Sequence, residues 1–252
     1  AAMKKIKNPL IRRIPKELIG DWKKYLVVFL FLVLTIGFVS GMYVANESMI
    51  TSANEGVTKY KQEDGHFELK KQADATLLSA IETGEKADFK ATKTTLYENF
   101  FRNEEEDYNN DGKKDGTIRV FAKTKDINLA CMLQGSFPQK ADEIAIDRMH
   151  ADNVGIKVGD TVTVSGETYK VVGLLAYVNY STLHEKTTDL MFDALKFDVA
   201  MVTQDGFDRL HKSIHYTYAW KYETEPADEA GEKTRSDNFM RALLTQVVVA
   251  DN

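Results

Sequence analysis

Residues Tyr25 to Ala45, YLVVFLFLVLTIGFVSGMYVA, contain no charged side chain. Twenty-one helical residues rise roughly 31 Å, close to the ~30 Å hydrocarbon core of a bilayer. Few surroundings suit such a stretch. A soluble core helix of that length would carry polar residues on its outward face, so the stretch predicts a membrane-spanning helix over 25–45. Trp22, Tyr25 and Tyr43 stand near its ends, where amphipathic rings favour the headgroup level. A cleaved signal peptide is the rival, but its apolar core runs only about 7–15 residues and its cleavage site needs small residues. Cutting after Ala45 would place Tyr43 in one of those positions, so an uncleaved anchor is expected.

Charge divides the chain around that stretch. Residues 1–24 hold eight basic side chains against Glu17 and Asp21, a net +6, while the whole chain is −5, leaving −11 on residues 46–252. The twenty residues after the stretch contain only Lys59 and Lys61 as basic groups. Excess Lys and Arg mark the cytoplasmic side, so the N-terminus is expected in the cytoplasm and residues 46–252 outside it, in a protein of the cell membrane. The acidic body excludes a basic nucleic-acid binder, and a single cysteine, Cys131, excludes an internal disulfide framework. With apolar neighbours on both sides, Cys131 is expected to be a small buried hydrophobe.

Within 1–24, Leu10, Ile11, Ile14, Leu18 and Trp22 fall on one broad apolar face broken by Pro15 and Gly20. Such a segment suits the membrane interface, with basic groups on lipid headgroups, or a cytoplasmic partner. Inside the span, Gly37, Gly41 and Ala45 recur every four residues, a small-residue stripe that lets another helix approach closely.

The rest of the chain alternates strand-like and helix-like segments. Asn46–Lys61 reads as a polar continuation of the helix. Strands are expected at His66–Lys71, Thr95–Arg102, Gly116–Lys123, Glu143–Asp147, Lys157–Val164, Glu167–Ala176, Asp198–Thr203 and Ile214–Thr224. Helices are expected at Ala73–Glu82, Met149–Val154, Gln204–His211 and Ser236–Ala250. Ser165-Gly166 suits a hairpin turn, and Glu223–Glu232 an acidic surface loop. The fold class is α+β: one N-terminal transmembrane helix, then a mixed α/β extracytoplasmic domain of one or two lobes. Its segments are 1–24 (cytoplasmic, basic), 25–45 (membrane) and 46–252 (extracytoplasmic).

Catalytic signatures are missing. There is no Gly-x4-Gly-Lys-Ser/Thr loop, nucleophile elbow or zinc-protease helix, so the chain is expected not to be an enzyme or to hydrolyse nucleotide itself. The five histidines are scattered; His211 and His215 share an i,i+4 spacing, although His215 is expected in a strand. One loop fits the opening of a calcium site. In Asp107-Tyr-Asn-Asn-Asp-Gly-Lys-Lys-Asp115, the oxygens of Asp107, Asn109, Asp111 and Asp115 occupy ligand positions around a turning Gly112. The acid usual at the twelfth position is replaced by Ile118, so the metal site would be weak; the bland alternative is an Asx-rich turn. The sequons at Asn46 and Asn179 matter only in a glycosylating pathway.

Other segments carry a family resemblance. Arg13-Ile-Pro-Lys-Glu-Leu-Ile-Gly-Asp-Trp-Lys-Lys-Tyr-Leu, running into a span that ends Ile36-Gly-Phe-Val-Ser-Gly-Met-Tyr-Val-Ala45, resembles the start of FtsX-like ABC transporter permeases of Gram-positive bacteria. Gly135-Ser-Phe-Pro-Gln-Lys-Ala-Asp-Glu-Ile-Ala-Ile-Asp147, Gly155-Ile-Lys-Val-Gly-Asp-Thr-Val and Tyr169-Lys-Val-Val-Gly-Leu174 resemble the extracytoplasmic core domain of MacB-type permeases. The resemblance implies a permease subunit without a cofactor of its own. Its partners would be a cytoplasmic ABC ATPase that hydrolyses ATP, membrane lipids and other permease membrane helices, as in a dimer, with no nucleic acid. It implies a mechanical relay between ATP-driven closure and ectodomain motion, through a helix running from Tyr25 towards Lys61. Further membrane helices follow the ectodomain in that family, so the sequence is expected to be one piece of a longer protein. A single-pass anchored sensor or binding ectodomain is the other reading the same residues allow.

Overall fold

The computed structural model describes residues 19–83, 94–180, 182–185, 190–224 and 226–250. The interfacial face expected at Leu10–Leu18 therefore lies outside the described residues, as does Ser181 of the second sequon. The chain divides into two units, 1–55 and 56–252.

The described residues of the first unit are helical. Helix α1 (Trp22–Lys59) is a single uninterrupted element that takes in the uncharged stretch and the polar continuation. Its window Trp22–Glu47 is long and apolar enough to cross a membrane, and none of that window is buried. Leu34 and Phe38 are each 70% exposed, and apolar side chains cover every side of the helix. A helix apolar all round is stable only in an apolar surrounding. The hydroxyl of Thr35, which lipid could not satisfy, donates to the Phe31 carbonyl at 2.8 Å within the helix.

The second unit holds two sheets. The smaller comprises β1 (Gly65–Leu69), β2 (Thr94–Glu98) and β10 (Tyr216–Tyr222), all antiparallel, with β10 in the centre. Helices α2 (Ala75–Thr83) and α5 (Glu229–Ala250) supply Ile81, Phe239 and Leu243 to the core formed with Phe67, Tyr218, Trp220 and Tyr222. The Trp220 and Phe239 rings lie 4.5 Å apart.

The larger sheet contains β3 (Phe101–Asp107), β4 (Gly116–Ala122), β5 (Ala130–Gly135), β6 (Glu143–Asp147), β7 (Thr161–Val164), β8 (Glu167–Tyr177) and β9 (Phe197–Val202). Its order is β5-β8-β6-β9-β4-β3-β7, and β7 also pairs with β8, so six of the strands close into a ring. Short helices α3 (Arg148–Val154) and α4 (Gln204–Asp208) follow β6 and β9. Alternation sorts the side chains between two cores. Ile118, Val120, Ile144, Ile146, Ala200 and Val202 face one; Phe121, Ala145, Val199 and Met201 face the other.

The structure moves several expected boundaries. Thr95–Arg102 is two strands of different sheets, because the chain crosses from one to the other at Asn99-Phe100. Strand β5 was not anticipated; Ala-Cys-Met-Leu-Gln-Gly has no clean alternation, and its pairing with β8 shifts register between Met132 and Gln134. The acidic loop 223–232 ends early: α5 begins at Glu229, with acids in its first turn where the helix dipole favours them. Ser165 (φ 48°) and Gly166 (φ 86°) form the β7–β8 hairpin as expected.

Candidate functional site

Polar groups do not belong inside a closed apolar sheet, yet three titratable side chains meet there. Glu106 lies on β3, His150 on α3 and Asp198 on β9. Asp147 caps α3 by accepting from Met149 N at 2.7 Å, which orients the helix so that its first turn carries His150 inward. Alternation on β3 turns both Glu104 and Glu106 into the interior. Glu104 is satisfied there: it accepts from Lys212 N at 2.9 Å and from the Ser165 hydroxyl.

Glu106 is not. Both of its carboxylate oxygens, His150 Nε2 and Asp198 Oδ2 are buried without a hydrogen-bond partner. His150 Nε2 lies 3.3 Å from Glu106 Oε1, and neither side chain is exposed at all. One ligand atom from each of the three residues falls within 4.8 Å of the others, the one group of this kind among the described residues. On the other edge of the imidazole, Nδ1 is 2.7 Å from the Ala194 carbonyl. A carbonyl only accepts, so Nδ1 carries a proton. Asp198 Oδ1 accepts from Val199 N at 2.7 Å and Asp147 N at 3.2 Å, leaving Oδ2 for the cluster.

Charge in this site is tightly linked. Burial lowers the imidazole pKa, but the Asp198 charge, the contact with Glu106 and the Ala194 carbonyl outweigh it, and His150 is raised to about 9. Burial pushes Asp198 well above the ordinary carboxylate range, aided by Glu106 and Asp147 and opposed by His150. Burial likewise raises Asp147, against the two backbone N–H groups that it caps. Sequence reasoning missed this cluster because its members come from three separated segments. One signal was present: Asp198 is a lone charge in Phe-Asp-Val-Ala-Met-Val, a strand buried at every residue.

The loop singled out for calcium lies on the surface between β3 and β4. Its oxygens are turned to the backbone: Asp107 accepts from Asp111 N (3.1 Å) and Gly112 N (2.8 Å), and Asn109 Oδ1 from Asp111 N (2.9 Å). Asp111 accepts from Lys113 N at 2.9 Å, and Asp115 from Tyr108 N at 3.2 Å. This is the pattern of nested Asx turns. Gly112, at φ 84°, makes the turn.

Gly37, Gly41 and Ala45 are exposed along α1, and a Cβ added at either glycine would meet nothing within 4 Å. Of the two spaced histidines, His215 bridges to Phe101 and contacts Glu68 at 2.8 Å. Cys131 corrects an expectation. It is half-buried and polar in its contact, accepting from the Tyr60 hydroxyl at 2.9 Å.

The residues behind the family resemblance shape the larger sheet. Gly135 (φ 78°) and Gly173 pair across β5 and β8, where a Cβ on Gly135 would lie 2.2 Å from the Val172 carbonyl oxygen. Glu143 accepts from Gln139 N and Lys140 N, closing the turn into β6, and Asp147 caps α3. Gly155 (φ 83°) ends α3, and Asp160 accepts from Lys157 N at 2.9 Å. Tyr169, fully buried, donates to the Gly206 carbonyl at 3.0 Å.

No protein-family model matches the chain, and no curated protein matches it. Among solved structures, it is similar to the periplasmic region of MacB from Actinobacillus actinomycetemcomitans, at 9% identity and a TM-score of 0.36, covering 64% of this chain and 72% of that one. It is also similar to the extracellular domain of YknZ, a noncanonic ABC-type transporter from Gram-positive bacteria. That match has 14% identity and a TM-score of 0.35, covering 71% of this chain and 92% of that one.

Proposed function

We propose that the chain is the N-terminal part of an ABC transporter permease subunit of the FtsX/MacB type. In this reading α1 crosses the cell membrane with its N-terminus in the cytoplasm, residues 46–252 are extracytoplasmic, and a separate ABC ATPase docks on the cytoplasmic side. The observation that carries it is α1: an exposed helix, apolar on every side, that leads in sequence to a domain in which the motif residues Asp147 and Gly155 cap α3 and Gly135 pairs with Gly173 across β5 and β8. The exposed stripe Gly37-Gly41-Ala45 suits contact with other permease helices. The role is mechanical rather than enzymatic, ectodomain motion being driven by ATP hydrolysis in the partner. Calcium, if it binds the Asp107 loop, does so weakly.

The test is recovery of the full-length product from native membranes in mild detergent. An ABC ATPase should co-purify and remain through washing. Recovery of the product without any ATPase would overturn the reading and leave a single-pass anchored binding protein.

A further inference from the structure

We propose that Glu106, His150 and Asp198 hold a structural first-row divalent cation, zinc foremost, inside the larger sheet. One ligand atom from each of the three residues lies within 4.8 Å of the others, and four buried atoms here, Glu106 Oε1 and Oε2, His150 Nε2 and Asp198 Oδ2, have no hydrogen-bond partner. A native interior leaves few such atoms, and each costs free energy unless something satisfies it. One cation would take a ligand atom from each of the three residues.

The geometry suits a metal better than a bare ion pair. Zinc binds histidine nitrogen and carboxylate oxygen at about 2.0–2.2 Å in a tetrahedron, so neighbouring ligands of one ion stand about 3.3–3.6 Å apart. His150 Nε2 and Glu106 Oε1 are separated by 3.3 Å, a spacing that two ligands of one ion can take. The proton held on Nδ1 by the Ala194 carbonyl leaves the Nε2 lone pair free to coordinate, and such a backbone partner is the usual outer support of a metal-bound histidine. The Val199 and Asp147 amides similarly fix one oxygen of Asp198 and aim the other at the cluster.

Charge agrees as well. With the ion bound, two carboxylates, a neutral imidazole and a dication sum to zero, the metal replacing the protons that the site holds without it. The donor set contains no sulfur and too few oxygens for calcium, which takes six to eight. Full burial leaves no open ligand position for substrate, so the ion staples β3, α3 and β9 together rather than performing chemistry.

The experiment uses the full chain, expressed without a histidine tag in zinc-containing medium and purified in detergent after dialysis against a weak chelator. Elemental analysis should find about one zinc per chain, and X-ray absorption should show nitrogen and oxygen scatterers without sulfur. His150→Gln and Asp198→Asn should each lower the zinc content at least about tenfold, while Asp111→Asn in the surface loop keeps it. Stripping the metal with a strong chelator should lower the unfolding temperature by about 5–10 °C. A folded wild-type chain containing no transition metal would overturn the proposal whether or not the variants fold. So would sulfur ligation, or loss of zinc in Asp111→Asn with retention in His150→Gln.

Discussion

At the scale of single residues, glycine positions separate strain from crowding. Gly159 (φ 107°) has open space where a Cβ would sit, whereas Gly135 (φ 78°) has the Val172 carbonyl oxygen 2.2 Å away. Gly159→Ala should therefore cost about 1–2 kcal/mol, from backbone conformation alone. Gly135→Ala should cost more, about 3 kcal/mol, because β5 must also move off β8. Urea unfolding of the two variants checks the order; equal costs would mean that β5 yields freely. His66 supplies a pH dependence. Its hydrogen bond to Glu63, 2.7 Å long, raises the imidazole pKa above 6.5; burial opposes this, and the Glu63 charge assists it. A raised folded-state pKa contributes stability that is fully present below about pH 6.5 and is lost as pH climbs through the folded value. Unfolding monitored from pH 5.5 to 8.5 should show this decline, small because His66 is half exposed. Glu63→Gln should flatten it.

Elements differ in how openly the sequence announced them. Strand β6 was readable to the residue, since Glu-Ile-Ala-Ile-Asp is bounded by a turn and by an N-cap. Helix α2 was placed within two residues, because Leu77, Leu78 and Ile81 share one face and Asp74 accepts from Leu77 N at 2.7 Å to start it. Replacing that cap, Asp74→Ala, should destabilise the unit by about 1 kcal/mol, measured by the midpoint of denaturant unfolding. An unchanged midpoint would mean that α2 is held by its packing on α5 alone. Strand β5 and the split of 94–107 into two strands were hidden. Both depend on pairing partners distant in sequence, β8 and β10, which no local periodicity encodes. The buried cluster was hidden for the same reason: Glu106, His150 and Asp198 meet only once the ring of strands closes. The surface loop, by contrast, was legible in its residues and its glycine turn because its bonds are local.

For the whole molecule, composition had already separated a basic head, an uncharged stretch and an acidic body, and a mean hydropathy of −0.35 averages over all three. The structure divides the chain at residue 55, ten residues beyond the end of the uncharged stretch, since α1 continues past it. A chain beginning at Gly56 should stay in solution without detergent, whereas the chain with α1 should sediment with membranes. Sedimentation of both would point to a membrane-binding surface elsewhere, such as the exposed Leu190-Met191. The account rests on α1 crossing the membrane with the acidic body outside. Single cysteines at Lys16 and Lys114, in a Cys131→Ser background of the full-length product, test this with a membrane-impermeant maleimide on intact cells. Lys114→Cys should label at once, and Lys16→Cys only after the cells are permeabilised. Labelling of Lys16→Cys but not Lys114→Cys in intact cells would contradict the account.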